Sequence, residues 1–193
     1  MSDAVIATAK VLGIGLSRTG TLSLRQALEQ LGYRAAHYVD HREALRGEST
    51  WFAGDFETDS LIGFDAAVDL PVPAFYPQLD TRYPGSRFIL TVRDAESWIA
   101  SVRRHWSRKP ITDDAQGRYR RWVRLATYGT FGFSEARMRF VYETHVRNVM
   151  DFFAGRPRDL LVLDICGGQG WDRLCPFLDK PPPCGPFPWL HRG

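Results

Sequence analysis

The chain has 193 residues, 44% hydrophobic and 24% charged, with 25 lysines and arginines against 22 aspartates and glutamates and a formal net charge of +3. That balance excludes a disordered or collagen-like chain, and so small a net charge excludes a surface built throughout for nucleic acid. A single domain of this length buries roughly 70% of the surface its unfolded chain exposes, enough for one core, and no repeat, linker or low-complexity tract divides residues 1–193.

Met1–Lys10 has no basic start, long apolar run or cleavage signal, and no later stretch reaches transmembrane length. A cytoplasmic protein without a membrane span is expected. Residues 11–28 then read as an apolar strand (Val11–Leu16), a glycine-bounded turn and an amphipathic helix opening near Thr21. Gly15 and Gly20 let the backbone curl so that successive N–H groups point inward, and the helix start adds the positive end of its dipole, which makes an anion site. Arg18 sits on the curl with a fixed fork of donors. A nucleotide triphosphatase loop carries lysine after its second glycine, whereas Gly20 is followed here by Thr21, and the basic residue has moved inside the loop.

Further β-branched apolar runs fall at Asp65–Leu70, Arg87–Val92 and Leu160–Ile165, with a weaker one at Tyr33–Tyr38, and helical patterns separate them. This alternation predicts an α/β fold of three layers, a mostly parallel sheet of about five strands between helices, with ligands gathered at the carboxyl ends of the strands. Residues 94–106 predict a helix capped by Asp94 and carrying Trp98, Ile99, Val102 and Trp106 at helical spacing. Arg93 is therefore held at the sheet edge, and Ser101 lies two helical turns along.

From 113 to 154 the chain reads as two helices around a Tyr128–Phe133 hinge, a lid and substrate region. Arginines outnumber acids between Arg103 and Arg147, a candidate wall for an anionic ligand. Within it, the run Arg118 to Arg124 mixes cations with Tyr119 and Trp122; it reads either as a solvated face over a buried Trp122 or as a stacking surface for single strands, and one of its arginines could serve a phosphate. The Pro181–Pro183 run and Pro186 to Pro188 make residues 179–193 an extended tail. Cys166, Cys175 and Cys184 are too few and too clustered for a disulfide framework, and with His191 their eight-residue gaps match no common zinc spacing, so reduced thiols and no metal are expected.

The turn and the Arg93–Ser101 unit, in this order, resemble the sulfotransferases that use 3′-phosphoadenosine 5′-phosphosulfate, over most of the chain. The resemblance implies a P-loop-like fold. It implies that Ser17, Arg18, Thr19, Gly20 and Thr21, with the amides of Leu22 and Ser23, cradle the 5′-phosphosulfate, and that Arg93 and Ser101 hold the 3′-phosphate. Arg18 stands where better-known members have lysine, and the charge is kept. The implied reaction is in-line transfer of a sulfuryl group to a hydroxyl or amine on a small molecule or glycan, without a metal and with adenosine 3′,5′-bisphosphate as product. Gly170–Leu178 and Pro186–Pro188 also resemble the small bacterial members.

Asp69, in Val68-Asp-Leu-Pro71 at a strand end, projects toward the same edge and resembles the family's His-Leu-Pro site with Asp for His. It is the expected base, once burial raises its pKa, with Arg18 stabilising the leaving oxygen. His37, His41 and Glu143 are alternatives; His105 and His145 read as surface or satisfied core residues. Trp171 or Trp98 could stack on adenine. Two other readings share the cradle: a nucleotide kinase or triphosphatase, against which the missing lysine counts, and a non-catalytic nucleotide-binding relative, which the Asp69 change permits.

Overall fold

The computed structural model describes residues 8–38, 54 and 61–190. Five strands, β1 (Val11–Gly13), β2 (Ala35–His37), β3 (Ala66–Val68), β4 (Arg87–Thr91) and β5 (Leu160–Leu163), form one sheet in the order β2-β3-β1-β4-β5. Every pairing is parallel, so the sheet goes beyond the mostly parallel one expected. The helices are α1 (Thr21–Gln30), α2 (Tyr76–Arg82), α3 (Ala95–Arg108), α4 (Ala115–Tyr128), α5 (Glu135–Phe152) and α6 (Trp171–Phe177). None of the described helices is long and apolar enough to cross a membrane.

Register explains why the strands are apolar on both faces. Ala36, Ala67, Leu12 and Phe88 lie side by side across the sheet and join Leu79, Val149 and Phe153 beneath α2 and α5. Their neighbours Ala35, Ala66 and Val11 turn to the opposite face, which α1 and α6 cover with Leu24, Leu28 and Leu174. Helices on both sides leave neither face to water, as a parallel sheet requires. Fully burying a side chain such as Leu12 or Phe88 contributes about 1.5–3 kcal/mol.

A third apolar cluster lies beyond the carboxyl ends of the strands and fixes the roof of the cleft. It joins Leu16 and Leu70 to Trp98, Val102, Tyr119, Val123, Tyr128 and Met138 from α3, α4 and α5. Each of these helices starts on a side-chain cap: Asp94 accepts from the Ser97 amide, Asp114 from Gly117 and Ser134 from Arg137. α1, by contrast, opens on Gly20 with no side chain across its first amides. After α6 the chain runs as an extended tail that returns to α1, where the Leu190 amide donates to Ser23 Oγ at 3.0 Å.

Candidate active site

One cavity of about 600 Å³ lies over the carboxyl edge of the sheet, and every strand delivers wall residues to it: Ser17 and Arg18 after β1, His37 at the end of β2 and Tyr38 after it, Asp69 after β3, Arg93 after β4, and Ile165 and Cys166 after β5. Its size falls in the range of roughly 300–1,000 Å³ expected of small-molecule sites. Arg18, Tyr38 and Asp69 all have positive φ, at 77°, 62° and 66°. Such conformations cost about 1–3 kcal/mol each and persist only where the surroundings over-determine them.

The β1–α1 loop is over-determined in this sense. Thr19 Oγ1 donates to the Leu16 carbonyl at 2.7 Å and lies 2.6 Å from Thr91 Oγ1, the Ile14 amide bonds Ile89 O, and Trp98 Nε1 donates to Ser17 O at 2.9 Å. Gly15 is forced by proximity to β4, since a Cβ there would stand 1.9 Å from Thr91 Oγ1 and 2.5 Å from its carbonyl oxygen. Gly20, at φ 97°, turns the chain into α1. The first amides of a helix have no carbonyl partner within it, so those of Thr21, Leu22 and Ser23 remain to face an anion at the positive end of the dipole.

Two guanidinium groups stand over this loop. Arg18 Nε donates to Ser101 Oγ at 3.2 Å, and Arg93 Nε donates to Ser97 Oγ at 2.6 Å while its Nη1 reaches the Arg18 carbonyl. Neither has a carboxylate within ion-pair distance among the described residues. Burial and the Arg93 charge both depress the pKa of Arg18, which leaves a repelled, partly dehydrated cation pair that an anion would relieve.

Asp69, 5% exposed, closes the other side. Its Oδ1 accepts from Ser17 Oγ and the Leu70 amide, both at 2.8 Å, and Oδ2 accepts from Thr21 Oγ1 at 3.1 Å. His37 Nε2 lies 3.1 Å from Oδ2 without an aligned hydrogen bond. Burial pushes this carboxyl up, but His37, Ser17 and the Leu70 amide outweigh it and hold Asp69 below the usual carboxylate range. The raised pKa that a lone carboxylate base needs is therefore not the one this setting produces.

The residues singled out from sequence separate into two groups. Ser17, Arg18, Gly20, Thr21, Leu22, Ser23, Asp69, Arg93 and His37 meet on the cavity wall. Thr19 and Ser101 are buried behind it, the first tying the loop to β4 and the second holding Arg18. Glu143 is exposed on α5, away from the cavity, and His41 lies outside the described residues. His145 Nε2 donates to Ile14 O, 2.7 Å away, as a core partner of the loop. His105, expected at the surface or in the core, lines the cavity, and burial and Arg18 lower its pKa.

Neither tryptophan considered for adenine reaches the wall. Trp98 is fully buried against Tyr142, and Trp171 packs on Phe187 at the tail; Trp189 stands at the cavity mouth instead. Much of the wall came from elements that sequence reading had left general. The end of α3 supplies Trp106 and Lys109, and one stripe of α4 supplies Gln116, Tyr119, Arg120, Arg124 and Tyr128. The four-residue spacing of Gln116, Arg120, Arg124 and Tyr128 was the available signal, since it puts all four on one helix face.

Residues 10–193 match the model of the sulfotransferase domain. The chain is also similar to a protein of Aspergillus versicolor, Ava biosynthesis cluster protein M, with 29% identity over 94% of this chain and 80% of the relative.

Proposed function

The chain belongs to the sulfotransferase family, and we propose that it moves a sulfuryl group from 3′-phosphoadenosine 5′-phosphosulfate to a hydroxyl acceptor by in-line transfer. The observation that carries this reading is the pairing of unsatisfied helix amides with two carboxylate-free guanidinium groups, opposite a buried Asp–His contact, in one cavity. When bound, the donor supplies a sulfuryl group on an activated oxygen. The amides of Gly20 to Ser23 hold its 5′ anion, and Arg18 neutralises charge on the departing oxygen. Arg93 takes the 3′-phosphate, and Ser101 serves this end indirectly by orienting Arg18.

Fixed donors of this kind need no reorganisation as charge shifts, which is where most of the rate of such transfers arises. For the acceptor proton we assign the Asp69–His37 pair. With every Asp69 oxygen engaged and its pKa held low, the carboxylate acts by orienting the imidazole and stabilising the imidazolium that forms. His37 Nε2 faces the carboxylate, so Nδ1 carries the lone pair that takes the proton. A late proton departure asks only for a weak base, and an imidazole suffices. We place the reaction in the cytoplasm, where Cys166, Cys175 and Cys184 stay as the free thiols they are here.

Calorimetry tests the donor assignment. Adenosine 3′,5′-bisphosphate is expected to bind without added metal and at least tenfold more tightly than ATP with magnesium. Heat from ATP with magnesium alone would replace this reading by a nucleotide kinase.

A further inference from the structure

The half of the cavity away from the phosphate loop has a composition of its own. Tyr38, Tyr119, Trp106 and Tyr128 frame it in two edge-to-face pairs, Tyr38 against Tyr119 at 5.2 Å and Trp106 against Tyr128 at 5.3 Å. Between and beside these rings stand Arg120, Arg124 and Lys109. Asp69 is the lone carboxylate among the described wall residues, and it belongs to the loop side.

The cations at this end are placed against ordinary electrostatics. Arg120 and Arg124 are one turn apart on the same face of α4, a like-charge spacing that destabilises a helix. Arg124 is only 6% exposed, lies 4.2 Å over the Trp106 ring, and donates only to the carbonyls of Lys109 and Phe131. Arg120 bonds Gln116 Oε1 and the Pro110 carbonyl. Arg25, Arg34, Arg103, Arg139 and Arg156, outside the cavity, each hold a carboxylate, whereas among the described residues neither Arg120 nor Arg124 does. Partial burial of a guanidinium without a counter-charge is costly, and an anionic ligand removes the cost.

Resting on the function above, we propose that the acceptor is a hydroxyaryl acid: an aromatic ring held edge-on by the tyrosine pairs, its phenol presented to His37 and Asp69, and its carboxylate bound by Arg120 and Lys109 over the fixed charge of Arg124. A planar carboxylate suits the guanidinium fork, and the ring suits the aromatic frame. Gln116, by holding Arg120, positions that fork.

Calorimetry on protein loaded with adenosine 3′,5′-bisphosphate decides the point without requiring turnover. The probes are 4-hydroxyphenylacetate, its carboxamide, and tyramine. The carboxylate should bind at least tenfold more tightly than the amide, with tyramine weakest, and R120Q with K109Q should erase the difference while bisphosphate affinity stays within twofold. Both side chains are partly or fully exposed, and retained bisphosphate binding certifies the folded state. Equal binding of acid and amide overturns the proposal. So does a loss of bisphosphate affinity in the variant that AMP, lacking the 3′-phosphate, does not share, because the cations would then belong to the donor. Failure of the bisphosphate to bind the unaltered protein would instead remove the proposed function itself.

Discussion

The two ends of the cavity are built from different materials. The loop end is made of backbone: a glycine pressed against Thr91, a helix start without a side-chain cap, and a left-handed Arg18 held by Ser101. The α4 end is made of side chains on one helical stripe, with no strained residue on α4 itself. A backbone-built site admits few substitutions and suits a ligand that never changes, whereas a stripe of side chains can be rewritten without disturbing the loop. This division is what an enzyme needs if its donor is fixed and its acceptor is its own.

The largest blows to the loop end should come from Arg18 and Asp69. Removing one preorganised charge donor in such sites costs about 10²–10³ in kcat, so R18A should fall by that much at saturating donor, with R18K recovering part of it. If kcat holds and only KM rises, Arg18 is a binding residue and the transition-state role assigned to it is wrong. D69N should lower turnover by roughly 10²–10⁴, through a misoriented His37. It should also change acid stability in a definite direction. Since the folded carboxyl has the lower pKa, its stabilising contribution is complete above the unfolded value near about 3.9 and is lost as pH falls through the folded value. The denaturant midpoints of the two proteins should therefore converge as pH falls below about 5. A constant gap would mean that Asp69 is not selectively stabilised as a carboxylate.

G15A attacks the same end through packing. Thr91 or the loop must shift to admit the methyl group, an overpacking that costs about 1–3 kcal/mol, and in a chain of this size each kcal/mol lowers Tm by about 2–4 °C. Bisphosphate affinity should fall with Tm, because the same backbone makes the cradle. An unchanged Tm would show that the loop yields easily and that its rigidity is not what holds the anion.

The loop end was also the legible one. Strand, glycines and helix start are adjacent in sequence, so Val11 to Ser23 suggests an anion cradle directly, and the β-branched runs correspond to all five strands, with observed bounds shorter. The caps of Asp94 and the hinge after Tyr128 were equally local. Asp69 could be placed at the edge, but not the way burial and polar contacts compete over its pKa, because Ser17, Thr21 and His37 reach it from three separate elements. The α4 wall was harder still. Arg118 to Arg124 carries cations around the whole helix, and only the packing of Tyr119 against Tyr38 and of Arg124 against Trp106 decides which of them face inward.

The smallest effect expected, and the most discriminating for the α4 end, belongs to Tyr128. Its hydroxyl is fully buried and faces the Ser17 amide without an aligned hydrogen bond, and burial raises its pKa well above that of an ordinary phenol. A buried hydroxyl left in this state costs about 1–3 kcal/mol, so a residue selected for stability alone would be phenylalanine. Y128F should therefore leave Tm unchanged or raise it by a few degrees, at about 2–4 °C per kcal/mol. If the variant instead loses stability, the hydroxyl already bonds the loop strongly, and the α4 end is held to the donor end by more than the apolar cluster between them.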